Sequence, residues 1–168
     1  MLKLPAYTLF AVIFFLLITT LSFAQEVLLD SVAAFVDDTA ITYSEFEKKY
    51  DETSSAPAIK ASALNKKDVI NTMINRVLLK KMALAMKLTG KDDDDLISQF
   101  IEIKIRSYVI IREEEIERFC KEHNVKAESD DERKEVEKYL TEAEINKRLK
   151  TLIEELRAKA YIKVYIEK

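Results

Sequence analysis

Leu29–Tyr50, LDSVAAFVDDTAITYSEFEKKY, decides how the rest of the chain is read. Val32–Val36 is rich in small and β-branched residues that suit a pleated surface, and Asp37-Asp38 tolerates the backbone angles of a tight turn. A second short β run ends at Thr42, so the spacing predicts a hairpin over 32–42. Thr42 stands three residues before Glu45, the arrangement in which a hydroxyl and a carboxylate cap a helix start reciprocally. A helix over about 43–51 therefore follows the hairpin directly. A two-stranded hairpin alone is marginal in water, so it needs a partner from elsewhere in the chain.

That partner is predicted at the other end. Ala160-Tyr161-Ile162-Lys163-Val164-Tyr165-Ile166 alternates with a period of two, placing Ala160, Ile162, Val164 and Ile166 on one face. This is the pattern of a strand with one buried side. The two ends are expected to meet in a small antiparallel sheet over 32–42 and 160–166. Between them the chain reads as helix. One Gly and two Pro in 168 residues leave little material for turn-rich β architecture, so the fold class is mainly α.

Asn65 is placed to cap a long helix over 66–88, where Ile70, Met73, Ile74, Val77, Leu78 and Met82 recur at helical spacing. Gly90 is expected to supply a left-handed cap after it. Asp92-Asp93-Asp94-Asp95 lacks the alternating ligands, central Gly and distant Glu of a calcium loop. It is read instead as the acidic start of a helix over 93–110, where the macrodipole favours negative charge. Further helices are expected over 112–123, 132–140 and 142–159, the last opened by a second capping pair, Thr141 and Glu144. Thr53–Pro57 and Asn124–Asp131 read as polar connectors.

The start of the chain gives an address. Lys3 precedes an uncharged apolar run over 7–21, and Ser22-Phe23-Ala24 offers small residues where a signal peptidase reads. Residues 1–24 are therefore expected to be a cleaved signal peptide, leaving 25–168 as one module and placing it in the periplasm. An uncleaved membrane anchor is the alternative, because the apolar run approaches spanning length. The chain carries 27 basic and 30 acidic side chains for a net charge of −3, so no basic surplus exists to hold nucleic acid. Cys120 is the only cysteine, which rules out an intramolecular disulfide.

No catalytic constellation can be assembled. Cys120 and His123 are three apart on a helix, but two ligands make a poor metal site and the chain has no other His or Cys. One glycine cannot make a phosphate loop. Neither enzymatic activity nor a cofactor or metal is expected.

The same residues carry a family resemblance. Leu29–Asp38, followed by Ile41-Thr42-Tyr43-Ser44-Glu45-Phe46, resembles the opening of the mature SurA-type periplasmic chaperones. Asp68–Leu79 is similar to that family's first long helix. Ile111–Phe119 resembles the segment before its parvulin-type prolyl isomerase domain, and Tyr139–Glu142 through Leu156-Arg157 to Ala160–Val164 resembles the helix and strand that resume after it. The chain departs from the family between His123 and Glu132, where a short polar connector replaces the inserted isomerase domains.

The resemblance implies a bare SurA N-terminal-like chaperone module. Such a module would hold unfolded outer-membrane or secreted proteins without isomerising proline. A holdase needs adaptable apolar surface, to which flexible thioethers are suited. Met73, Met82 and Met86, with Phe100, Ile105 and Tyr108, are accordingly the candidates for a client-binding groove. An exposed edge of the hairpin could also accept an extended client. The rival reading is a helical structural or assembly subunit with one dedicated partner in the cell envelope, dimerising through the long apolar stripe.

Overall fold

The structure, a computed structural model, describes residues 30–55, 65–127 and 129–166. The expected signal peptide over 1–24 and the proline of the Thr53–Pro57 connector lie outside these residues. Among the described residues no helix is long and apolar enough to cross a membrane.

Strands β1 (Val32–Val36) and β2 (Thr39–Thr42) form the hairpin, and β3 (Ile162–Val164) lies on the other side of β1. The sheet order is β2-β1-β3 and both pairings are antiparallel. Asp37 takes the positive φ that the tight turn demands, 53°, a conformation Asp tolerates better than most residues. A bulge at the start of β1 shifts the register between Val32 and Ala34. The expected meeting of the two chain ends is thus observed, over Ile162–Val164 rather than the whole of 160–166. The alternation of the tail is only partly converted into burial: Ile162 and Ile166 pack on the core, while Val164 stays exposed at the sheet edge.

Five helices cover the remaining described chain: α1 (Tyr43–Ser54), α2 (Lys66–Ala85), α3 (Asp93–Lys104), α4 (Glu113–His123) and α5 (Asp130–Lys159). The first two begin as the sequence predicts. Thr42 Oγ1 accepts from Glu45 N at 3.2 Å, and Glu45 Oε2 accepts from Thr42 N at 2.9 Å. Asn65 Oδ1 accepts from Lys67 N at 2.9 Å. The acidic run also behaves as expected: Asp92 Oδ1 accepts from Asp95 N at 2.8 Å and caps α3.

The helix ends differ from the sequence reading. α1 runs past Asp51 to Ser54, where Thr53 Oγ1 donates back to the Lys49 carbonyl. α2 stops at Ala85 rather than 88. Leu88 N donates to Ala83 O and Lys87 N to Leu84 O, the paired bonds of a Schellman turn. The left-handed residue of that turn is Lys87, with φ 58°, and not Gly90.

α3 ends at Lys104 and passes through a 3₁₀ turn at Arg106–Tyr108. Interactions with α5 divert the backbone there. The Arg106 guanidinium forks onto both Glu142 oxygens at 2.9 and 3.3 Å, and Arg148 donates to the Tyr108 carbonyl.

The two helices expected over 132–140 and 142–159 are one. Thr141 does not cap anything: its hydroxyl donates to the Glu137 carbonyl one turn back, at 2.7 Å. Threonine is tolerated inside a helix in this way, and no Gly or Pro interrupts the segment. The true capping pair is Ser129 and Glu132, with Ser129 N donating to Glu132 Oε2 at 2.9 Å. The resulting 30-residue helix is about 45 Å long.

α2 is the common wall of two cores. Its first half packs Val69, Ile70, Ile74 and Leu78 against the sheet residues Ala34, Val36 and Ile41 and against Phe46 of α1. Its second half packs Leu79 and Ala83 against Leu96, Ile97 and Phe100 of α3, with Leu149, Leu152 and Ile153 of α5 closing the side. Leu156 touches both cores. Nearby, Arg157 donates to Asn75 Oδ1 at 2.7 Å and Asn71 Oδ1 at 2.9 Å, fixing the end of α5 on α2. That fixes where β3 begins.

Candidate functional site

An open cleft of about 510 Å³ lies where β2, α1, α2 and the start of α3 converge. Its floor is apolar: Ile41 from the sheet, Met73, Val77 and Leu84 from α2, and Ile97 from α3. Positions 73, 77 and 84 share one face of α2 by helical geometry. Leu84 is half exposed, at 52%. One wall is β2, a sheet edge. Residues directly opposite in the hairpin alternate in where their backbone groups point, and the register turns the N–H and C=O of Ala40 away from β1, toward the cleft.

The rim is charged, and four of its five basic side chains are paired, Lys48 being the exception among the described residues. Arg76 pairs with Asp94, Lys80 Nζ with Asp93 at 2.8 Å, and Lys49 Nζ with Glu52 at 3.4 Å. Lys81 Nζ bridges Asp37 Oδ2 at 2.8 Å and Asp38 Oδ1 at 2.7 Å. The lysine beside them holds both turn carboxylates below the ordinary aspartate value, and they hold the Lys81 ammonium above its own. The Arg76 guanidinium lowers Asp94 likewise. Such exposed pairs contribute little stability singly. Their effect on the cleft is to cancel most of the charge at its rim, so the apolar floor carries much of what it can hold.

The six residues singled out from the sequence are not gathered into one groove. Met73 lines the cleft. Met82, on the other side of α2, and Met86, the residue at its C-cap, are half-buried against the second core, to which α5 also contributes. Phe100 and Ile105 are buried, at 1% and 4% exposure, and fill the interior instead of offering surface. Tyr108 is exposed on the 3₁₀ turn, away from the cleft.

Val77, Leu84 and Ile97 were missed as site residues, whereas the hairpin edge expected to accept an extended client does form a wall of the cleft, through β2. Val77 belongs to the apolar stripe visible in the sequence, but periodicity does not say which part of a stripe a neighbour covers.

A second hollow, of about 320 Å³, lies between α4 and the start of α5, where Phe119, Val125, Val136 and Tyr139 line it. His123 stacks on Phe119 with ring centroids 4.2 Å apart, and its Nδ1 donates to the Phe119 carbonyl at 3.0 Å. The imidazole is thereby committed to its own helix. Among the described residues no three His, Cys, Asp or Glu side chains come together as a metal site.

Compared with protein-family models and with curated proteins, the chain matches none.

Proposed function

We propose that this protein is a periplasmic holdase of the SurA N-terminal type, binding unfolded outer-membrane or secreted chains without isomerising proline. The observation that carries the reading is the cleft: an apolar floor, a largely paired rim and a strand edge for one wall. An extended segment would lay alternate apolar side chains on Met73, Val77 and Leu84. Ala40 would give it one pair of main-chain hydrogen bonds, too few to select sequence and enough to favour an extended backbone. The flexible thioether of Met73 suits clients of differing shape. The sheet built from both chain ends agrees with the motif order that carries the family resemblance.

The test is suppression of aggregation of several unrelated unfolded outer-membrane proteins at near-stoichiometric ratios. Suppression across clients supports the holdase, and suppression of none sinks it. A helical subunit with one dedicated partner would protect that partner alone. Proline-peptide isomerisation is expected at background rate, and catalysis above it would overturn the non-enzymatic reading.

A further inference from the structure

We propose that β3 pairs edge to edge with β3 of a second copy, joining two three-stranded sheets into one of six strands. β3 is the outer strand of the sheet, and its inward backbone groups face β1 and the hairpin turn: Asp37 N donates to Tyr161 O and Tyr165 N to Ala33 O. The alternation of an antiparallel ladder leaves the N–H and C=O of Ile162 and Val164 facing outward. Among the described residues nothing covers them, and the Val164 side chain is 44% exposed. An uncovered edge is a template for another strand. The β2 edge is a poorer one, since only Ala40 offers both groups and the Thr42 amide is taken by Glu45.

The side chains favour a copy of the same strand. On the face of the sheet away from the helices, Lys163 lies beside Phe35 in the register, and its ammonium is 5.0 Å from the Tyr165 ring. Tyr161 and Tyr165 are both exposed on that face, and no carboxylate pairs with Lys163 among the described residues.

A two-fold pairing centred on Lys163 would set the two ammonium groups opposite each other, which is unfavourable. One centred on Ile162 would bring Val164 onto Ala160, the C-cap of α5, and would leave Ile166 opposite helical residues with no strand to pair with. Centring on Val164 leaves each Lys163 opposite Tyr165 of the second copy, in the close, non-hydrogen-bonded position. It also pairs Ile162 with Ile166. The cation–π contact already made within one chain is then made twice across the interface. The cleft lies at the opposite edge of the sheet and stays open.

Sedimentation of the signal-free protein across a dilution series tests this. Self-association is expected, and V164P should raise its dissociation constant by about tenfold or more, equivalent to ~1.4 kcal/mol. Proline at an outward-facing edge position removes a donor the single chain does not use, so circular dichroism of V164P should match the parent. A C120S/V164C variant should oxidise to a covalent dimer that retains the fold. A protein that stays monomeric throughout, or a dimer indifferent to V164P, overturns the proposal. So does a V164P variant that loses client binding while its association state is unchanged, since the edge would then take clients. Holdase activity that persists in a monomeric V164P keeps this outcome separate from that of the cleft.

Discussion

Asp37 and Tyr161 are 124 residues apart in the chain and exchange two hydrogen bonds: Asp37 N donates to the Tyr161 carbonyl at 2.7 Å, and Asp37 Oδ1 accepts from Tyr161 N at 2.8 Å. The same carboxylate reaches Lys81 on α2 through its other oxygen. One turn residue thus ties together the hairpin, the long helix and the residue that leads into the closing strand. It does so from a left-handed backbone position that Asp and Asn occupy more readily than Ala.

Substitutions at Asp37 are expected to rank accordingly. Asn keeps an acceptor for Tyr161 N and the tolerance for positive φ, and loses only the charge on Lys81. Ala loses all three. D37A should therefore lower the urea midpoint more than D37N, and hydrogen exchange should quicken in the tail before it does in α2. Equal effects from the two variants would mean that the charge, and not the turn geometry, matters here.

Acid should loosen the same region. Asp37, Asp38 and Asp94 are held below the ordinary aspartate value by Lys81 and Arg76. A carboxylate with a depressed folded pKa contributes stability above its unfolded value and loses that contribution as pH falls through the folded one. The urea midpoint should be flat near neutrality and decline below about pH 4. Lys81, raised by the two aspartates, has the opposite sign: its contribution is complete below the ordinary lysine value and fades as pH rises through the raised one. K81M removes the partner of both turn aspartates, so it should flatten the acid limb as well as the alkaline one. An acid limb as steep in K81M as in the parent would disprove the assignment.

Burial separates the residues the sequence grouped together as client-binding. Phe100 is packed in the second core, and F100A should cost about 3–5 kcal/mol. Leu84 is half exposed on the cleft floor, so L84S should change stability by no more than about 0.5 kcal/mol. If the cleft holds clients, L84S should weaken aggregation suppression while the unfolding curve stays in place. Loss of suppression in F100A alone, tracking its unfolding, would argue that the cleft floor is not used.

The end of α2 offers a paired test. An added Cβ at Gly90 would come within 2.7 Å of the Leu96 backbone nitrogen and 3.0 Å of its Cα. Backbone cannot yield as a flexible side chain would, so G90A should destabilise by about 1–3 kcal/mol. Lys87 carries the left-handed cap, and K87G should be stabilising by up to ~1 kcal/mol. Chemical denaturation of the two single variants checks both signs. A destabilising K87G beside a destabilising G90A would restore Gly90 as the cap.

What the sequence revealed is local or strictly periodic. The Thr42–Glu45 cap, the Asn65 cap and the alternation of the tail each lie within a few residues, and each led to the element observed. The end of α3 and the part played by Gly90 were not legible because groups farther along the chain set them. Arg106 and Arg148 divert the chain toward α5, and the close approach of Leu96 reserves position 90 for glycine. The site was legible in part for the same reason. Met73 and Val77 stand on a visible stripe, but only the placement of α1 and β2 leaves their side of it open. Met82 on that helix and Met86 at its C-cap pack on the second core instead.

Ser129 and Thr141 put the continuity of α5 to a direct test. Both begin an S/T-x-x-E sequence, and the motif alone does not distinguish them. Ser129 Oγ accepts from the Glu132 backbone amide at 3.3 Å as a helix cap, whereas Thr141 Oγ1 bonds a carbonyl inside the helix. Removing a true cap costs about 0.5–2 kcal/mol. Replacing a mid-helix threonine with alanine gains helix propensity, up to ~0.7 kcal/mol. S129A should therefore lower the urea midpoint and T141A should leave it unchanged or raise it. A loss of cap magnitude in T141A would require a break at Leu140 and two helices, and Arg106 could then no longer be held by Glu142 in the position observed.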